Sequence, residues 1–260
     1  MTIPTASPAS LPALSSASAA ASSPAPFASP SAAAPANGAR VLSVNIGRAR
    51  PFEHTDAPGG TAIDKRPVPG PVAVTAPGPK GTGTSGLAGD TVGDTRHHGG
   101  TDQAVYAYAR EDLDRWERTL GRELPPGTFG ENLTTDGLDV NGARIGERWR
   151  IGPRLVLEVT SPRIPCRTFQ GWLGEPGWVR HFTRAAAPGA YLRVIEPGEI
   201  RPQDPIEILH RPAHDVTIAL MFRALTTERA LLPRLLEAGP ALHPEARASA
   251  LKYVRTHANR

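Results

Sequence analysis

Cysteine occurs once in the 260 residues, at Cys166. That scarcity excludes a disulfide framework and any Cys-clustered zinc or iron–sulfur site within this chain. Lysine is nearly as rare: of 29 basic residues only Lys65, Lys80 and Lys252 are lysines, the rest being arginine. No run approaches the roughly 20 consecutive apolar residues that span a bilayer. No membrane contact is therefore expected, and the reducing cytoplasm is the expected compartment. Aromatic residues make up 5% and are not interleaved with basic runs, so the net charge of +4 does not point to nucleic acid. Scattered positive charge suits a small anionic ligand instead.

What the sequence has in abundance is proline and glycine, 28 and 26 residues. Of the first 36 residues 13 are Ala, 9 Ser and 7 Pro, and none carries a side-chain charge. Such a segment cannot bury enough apolar surface to offset its ordering entropy, so residues 1–38 read as a disordered arm. The arm lacks the basic stretch and compact apolar run of a secretory signal. A start codon assigned too far upstream would look the same.

Residues 39–211 alternate short apolar runs with Gly and Pro. Val41 to Ile46, Thr61 to Val68, Val72 to Thr75, Gln103 to Tyr108, Trp149 to Ile151, Leu155 to Thr160, Tyr191 to Ile195 and Pro205 to Leu209 read as strands. Helices are expected over Arg110 to Leu120, stopped by Gly121, and over Gly177 to Thr183. Asn141-Gly142 is the strongest turn dipeptide. Many short strands with few helices between them predict a mainly β protein built on an antiparallel barrel. Residues 212–260 change texture, with helical segments at Val216 to Leu225, Glu228 to Ala238 and Pro244 to Thr256. They read as a small three-helix unit, a stabilising or homodimerising appendage.

Three clusters can carry chemistry. Cys166 follows a strand in Ser161-Pro162-Arg163-Ile164-Pro165-Cys166-Arg167, where two arginines favour thiolate over thiol. A cysteine so placed is a buried small hydrophobe, a nucleophile or a ligand for a soft metal. In His97-His98-Gly99-Gly100-Thr101-Asp102 at most one imidazole should face any given site, because neighbouring side chains of an extended chain point oppositely. The two glycines let backbone approach a ligand closely. Lys65 lies inside a strand of an arginine-dominated chain, and its compact, titratable ammonium differs from a fixed guanidinium. The dense polar run Phe129 to Gly137 contains a glycosylation sequon at Asn132, without meaning in the cytoplasm. Gly81 to Gly86 satisfies G-x-G-x-x-G, but no strand precedes it and no helix starts on it, so nucleotide binding is not expected.

Taken together, Ala62-Ile63-Asp64-Lys65, Gly86-Leu87-Ala88-Gly89-Asp90, His98-Gly99-Gly100-Thr101-Asp102-Gln103-Ala104, Phe129 to Leu138 and Ser161 to Cys166 resemble the MOSC domain family. The closest resemblance is to its 6-hydroxylaminopurine-resistance subfamily, which ends in a three-helix appendage. The resemblance implies a MOSC β-barrel that binds the molybdenum cofactor, with Cys166 as the protein ligand to molybdenum. Lys65 and His98 would line the metal site as catalytic groups with Cys166. Arg163, Asn132, Thr134, Gly99 and Gly100 are the candidates for holding the cofactor's phosphate and pterin. Arg167-Thr168-Phe169 departs from the family pattern, in which Lys and Leu are common after the cysteine. A pyridoxal phosphate association is also carried by the family.

The activity implied is two-electron reduction of N-hydroxylated substrates such as hydroxylaminopurines. The electrons would come from a separate flavin or iron–sulfur reductase, since this chain has no cysteine set for a cluster. Two other readings stay open. A non-catalytic cofactor carrier or sulfur-transfer protein would bind cofactor without turnover. A cysteine hydrolase using Cys166, His98 and Asp102 would need no metal.

Overall fold

The structure is a computed structural model that describes residues 38–81 and 85–257. The Ala/Ser/Pro-rich arm and the centre of the G-x-G-x-x-G match lie outside the described residues.

Eight strands form one sheet: β1 (Arg40–Gly47), β2 (Lys65–Pro67), β4 (Val105–Ala109), β5 (Leu133–Asp136), β6 (Arg148–Ile151), β7 (Leu155–Pro162), β8 (Ala190–Glu196) and β10 (Ile206–His210). Their order is β10-β6-β7-β8-β4-β5-β1-β2, and β3 (Val72–Val74) pairs with β9 (Gly198–Ile200) in a separate ribbon. The sheet curls until its ends meet. Arg40 at the start of β1 bridges Pro205 just before β10, and the Val41 amide donates to the Asp204 carbonyl at 2.9 Å. The other half of β1, Asn45 to Gly47, is left for β2. The protein is thus mainly β, a closed barrel with peripheral helices.

Every pair in this barrel is antiparallel except β4 with β5. These strands flank α1 (Arg110–Leu120), which carries the chain back to the same end of the sheet before β5 begins. α1 buries Leu113 and Trp116 and ends on Gly121, whose φ of 65° and bond to the Glu117 carbonyl make a left-handed cap. All eight residues of β7 are buried, as expected of a strand in the middle of a closed core.

The expected strand over Thr61 to Val68 contracts to β2. Thr61 makes only an isolated bridge to Arg50, and a tight turn returns the Lys65 amide to the Ile63 carbonyl. A helix not anticipated from the sequence, α2 (Arg167–Leu173), begins directly after Cys166, and α3 (Trp178–Ala185) follows. Two apolar clusters result. One fills the barrel around Val44, Leu133, Leu157 and Trp149 and extends to Ile218, Met221, Leu232 and Leu235 of the C-terminal segments. The other is aromatic and joins Phe129, Phe169, Trp178 and Phe182 beneath α2.

Of the C-terminal segments, α4 (Ile218–Thr226) and α5 (Pro244–His257) are α-helical. Between them Arg229–Ala241 is 3-10 helix with a break at Gly239. Pro233 and Pro240 each remove an amide donor there, which disfavours a continuous α ladder.

Candidate functional site

β7 ends at Pro162, which cannot extend the ladder, and the next four residues turn across the barrel mouth to Cys166. Arg163 in that turn is buried. Its guanidinium donates to the Phe129 carbonyl and lies 3.7 Å over the Phe169 ring, with the Tyr106 ring 5.5 Å away. The aromatic cluster therefore fixes the cation, since Phe169 beneath it is itself packed edge to face on Phe129 at 5.1 Å. No carboxylate pairs with Arg163 among the described residues.

Cys166 faces a cleft of about 130 Å³. Burial alone would raise its thiol pKa. The His98 hydrogen bond, the Arg163 charge and the Phe169 amide outweigh that and bring it down from the usual range near 9 to about 6. At neutral pH the sulfur is thiolate, hence a good ligand for a soft metal and a good nucleophile.

Lys65, His98, Gly99, Asn132 and Arg163 line the same cleft as Cys166. The sequence separates these residues by up to a hundred positions and the barrel brings them to one mouth. The Lys65 ammonium is buried against Asp90 at 2.5 Å. Burial pulls its pKa down while the Asp90 carboxylate works against that. Asp90 is held by the Gly47 amide at 2.7 Å, the Ser85 hydroxyl at 2.7 Å and the Asn132 amide at 3.0 Å. Asn132 also accepts from the Tyr106 amide at 3.1 Å, so its side chain splints β1, β4 and the Asp90 loop together.

Thr134 and Gly100 are not brought to the cleft surface. The Thr134 hydroxyl accepts from Asn45 at 3.1 Å and donates to Glu131 at 2.9 Å within the barrel wall. Gly100 has a φ of 82°, and a Cβ there would meet the Lys80 backbone at 2.6 Å, so its glycine serves chain packing. His97 is exposed while His98 faces the cleft, and they sit on a turn closed by the His98 amide on the Asp94 carbonyl at 3.0 Å rather than on an extended chain. Asp102 points away from both, pairing with Arg193 at 2.9 Å.

Four residues at the site escaped the sequence reading. Asp90 stands in the quoted Gly86 to Asp90 stretch but was not singled out, although a buried lysine requires a counter-charge. Tyr106 and Tyr191 line the cleft with ring centroids 5.0 Å apart. Gln103, one helical turn past Gly100, also lines it.

The residues present suit a molybdenum cofactor. One thiolate is offered to a metal, and the described residues contain no group of three or more His, Cys, Asp or Glu that could hold a bare ion. A metal at Cys166 must arrive with its other ligands attached. The buried guanidinium of Arg163, without a carboxylate partner among the described residues, would suit the negative charge of such a group.

The family model of the MOSC domain matches residues 94–207. The Bacillus subtilis protein YflK is 32% identical over 178 residues, which cover 68% of this chain and 76% of that protein. The chain belongs to the MOSC domain family. MOSC domains are associated with molybdenum cofactor binding. A solved structure, YiiM from Geobacillus stearothermophilus, superposes with a TM-score of 0.65 at 27% identity, covering 82% of this chain and 98% of that one. A protein named reductase from Gibberella moniliformis is 31% identical over 182 residues, 66% of this chain but only 29% of that much longer protein. No helix among the described residues of this MOSC protein is long and apolar enough to cross a membrane.

Proposed function

We propose that this MOSC protein is a molybdenum-cofactor-dependent reductase of N-hydroxylated compounds, supplied with electrons by a separate flavin or iron–sulfur protein. The observation that carries the reading is the Cys166 thiol, its pKa brought down to about 6 by His98 and by the Arg163 guanidinium, which has no carboxylate partner among the described residues, in a cleft lined by all three. When bound, the cofactor supplies the two-electron step by which R–NHOH, two electrons and two protons become R–NH2 and water. The chain itself supplies position and protons.

Cys166 would hold the metal through its thiolate, and the Arg163 guanidinium beside it would offset the negative charge of the bound group. The His98 imidazole, beside Cys166, and the Lys65 ammonium, steadied by Asp90, are the groups able to pass protons to the departing oxygen. Asn132 keeps Asp90, and through it Lys65, in register with β4. Gly99 leaves room for close approach of the bound group. The single cysteine of the chain agrees with an external electron source, since no cluster set exists here.

The test is molybdenum and pterin content of the full chain from a cofactor-competent host, beside Cys166→Ser and a cofactor-deficient host. Near-stoichiometric metal that falls in both controls, with viologen-coupled reduction of 6-hydroxylaminopurine, is the expected result. Bound cofactor without turnover would assign the carrier or sulfur-transfer role. Absence of metal and pterin from folded protein would overturn the reading.

A further inference from the structure

Nine described side chains carry a buried nitrogen or oxygen without a hydrogen-bond partner, and one of them lines the cleft. That atom is Oε1 of Gln103. Gln103 sits on the 3-10 turn Thr101–Gln103, its own amide bonded to the Gly100 carbonyl at 3.0 Å, so the turn that follows His98 and Gly99 presents the side chain. Asn132, the other amide in the cleft, is different. Its Nδ2 donates to Asp90 and Asn45 and its Oδ1 accepts from the Tyr106 amide, so both ends have partners within the protein.

An amide oxygen shut from water without a donor is costly, and it is retained where a ligand brings the donor. The oxygen can only accept. A fully ionised phosphate, a metal oxo group and a thiolate carry no donor and cannot satisfy it. The ring N–H or exocyclic amine of a lactam- or amidine-type heterocycle can. Tyr191, part-buried in the lining of the same cleft, offers the flat aromatic surface such a ring prefers.

We propose that Gln103 Oε1 accepts a hydrogen bond from the N–H edge of a planar N-heterocycle bound in the cleft, making Gln103 a specificity-determining residue. The inference rests on the reductase reading only in taking the ligand to be a heterocycle. That N–H edge can belong to the pterin of the cofactor or to a purine-type substrate, and the experiment separates the two.

Full-length wild type, Gln103→Leu and Gln103→Glu are prepared from a cofactor-deficient host. Binding of pterin-6-carboxylate is followed by fluorescence, binding of 6-hydroxylaminopurine by calorimetry, and melting temperature by calorimetric scan. Gln103→Leu is expected to melt at or above wild type, because the unpaired oxygen is gone, and to lose at least tenfold in affinity for one probe. Gln103→Glu, which keeps an acceptor, is expected to retain most of that affinity. Loss confined to the pterin assigns the contact to the cofactor, and loss confined to the purine assigns it to substrate. Unchanged affinity of Gln103→Leu for both probes overturns the inference, as do equal losses in both variants or a wild type that binds neither probe. The reductase reading fails separately, if molybdenum-loaded wild type shows no turnover while these binding differences stand.

Discussion

The guanidinium of Arg163 lies 3.7 Å over the ring of Phe169, three residues beyond Cys166 on the same chain reversal. Stacking gives the cation a fixed height in the barrel mouth without the carboxylate that would cancel its charge. The consequence falls on the cysteine. Arg163→Gln is expected to raise the Cys166 pKa from about 6 toward its ordinary range, by about one unit or more. Iodoacetamide alkylation of cofactor-free protein, followed against pH, measures it. His98→Ala should move the same curve at least as far, because the His98 hydrogen bond outranks Arg163 among the lowering influences. An unshifted alkylation midpoint in both variants would show that backbone amides alone hold the thiolate.

Glu131 ties that arrangement to the strand behind it. Its carboxylate is fully buried and accepts from the Gly127 amide at 2.6 Å, the Phe129 amide at 3.0 Å and the Thr134 hydroxyl at 2.9 Å. These bonds shape the turn whose Phe129 carbonyl receives Arg163. Glu131→Gln turns an acceptor into a donor facing donors, and should destabilise the protein by about 2–4 kcal/mol in urea unfolding. It should also raise the Cys166 alkylation midpoint, since Arg163 loses its seat. A loss below 0.5 kcal/mol would mean that solvent or a shifted side chain replaces the network.

Gly127 is bound to Lys65 by space rather than by charge. With a φ of 89° it admits no ordinary side chain, and a Cβ would come within 2.3 Å of the Lys65 carbonyl. Gly127→Ala should therefore cost about 2 kcal/mol or more in urea unfolding. β2 must shift to relieve the contact, which would disturb the Lys65–Asp90 pair. A variant with unaltered unfolding midpoint would show that this turn yields freely.

The barrel was legible in the sequence because its strands are short, apolar and bounded by Gly or Pro, and because α1 carries an unambiguous stop at Gly121. The helix after Cys166 was not. Gly171 reads as a breaker in a stretch of only seven residues, yet it sits mid-helix because the His54 ring occupies the space of its Cβ at 2.2 Å. That is a long-range packing demand with no local signal. The parallel β4–β5 pair was hidden likewise, since strand direction depends on where α1 delivers the chain. At the site, Cys166, His98 and Lys65 stood out as rare residue types in their surroundings. Gln103 did not, because an unsatisfied oxygen is a property of the folded neighbourhood and leaves no mark in composition.

Asp112 gives the protein a pH dependence of the opposite sense to an ordinary surface carboxylate. It is buried on α1, and burial pushes its pKa up to about 7 despite the Arg115 guanidinium at 2.9 Å and the Asn141 amide at 2.6 Å. In the unfolded chain the same group titrates near 4, so between these values the unfolded state has lost a proton that the folded state keeps. Its contribution to stability is complete below about pH 4 and disappears as pH rises through about 7. The loss is on the order of 4 kcal/mol, from a shift of about three units at 1.36 kcal/mol per unit. Asp112→Asn cannot ionise, so its unfolding free energy relative to wild type should climb between pH 4.5 and pH 8, whatever its absolute value at either end. Urea unfolding of both proteins at the two pH values decides it. Parallel curves would mean that Arg115 and Asn141 compensate the buried charge in full, and that Asp112 is ionised in the folded protein throughout.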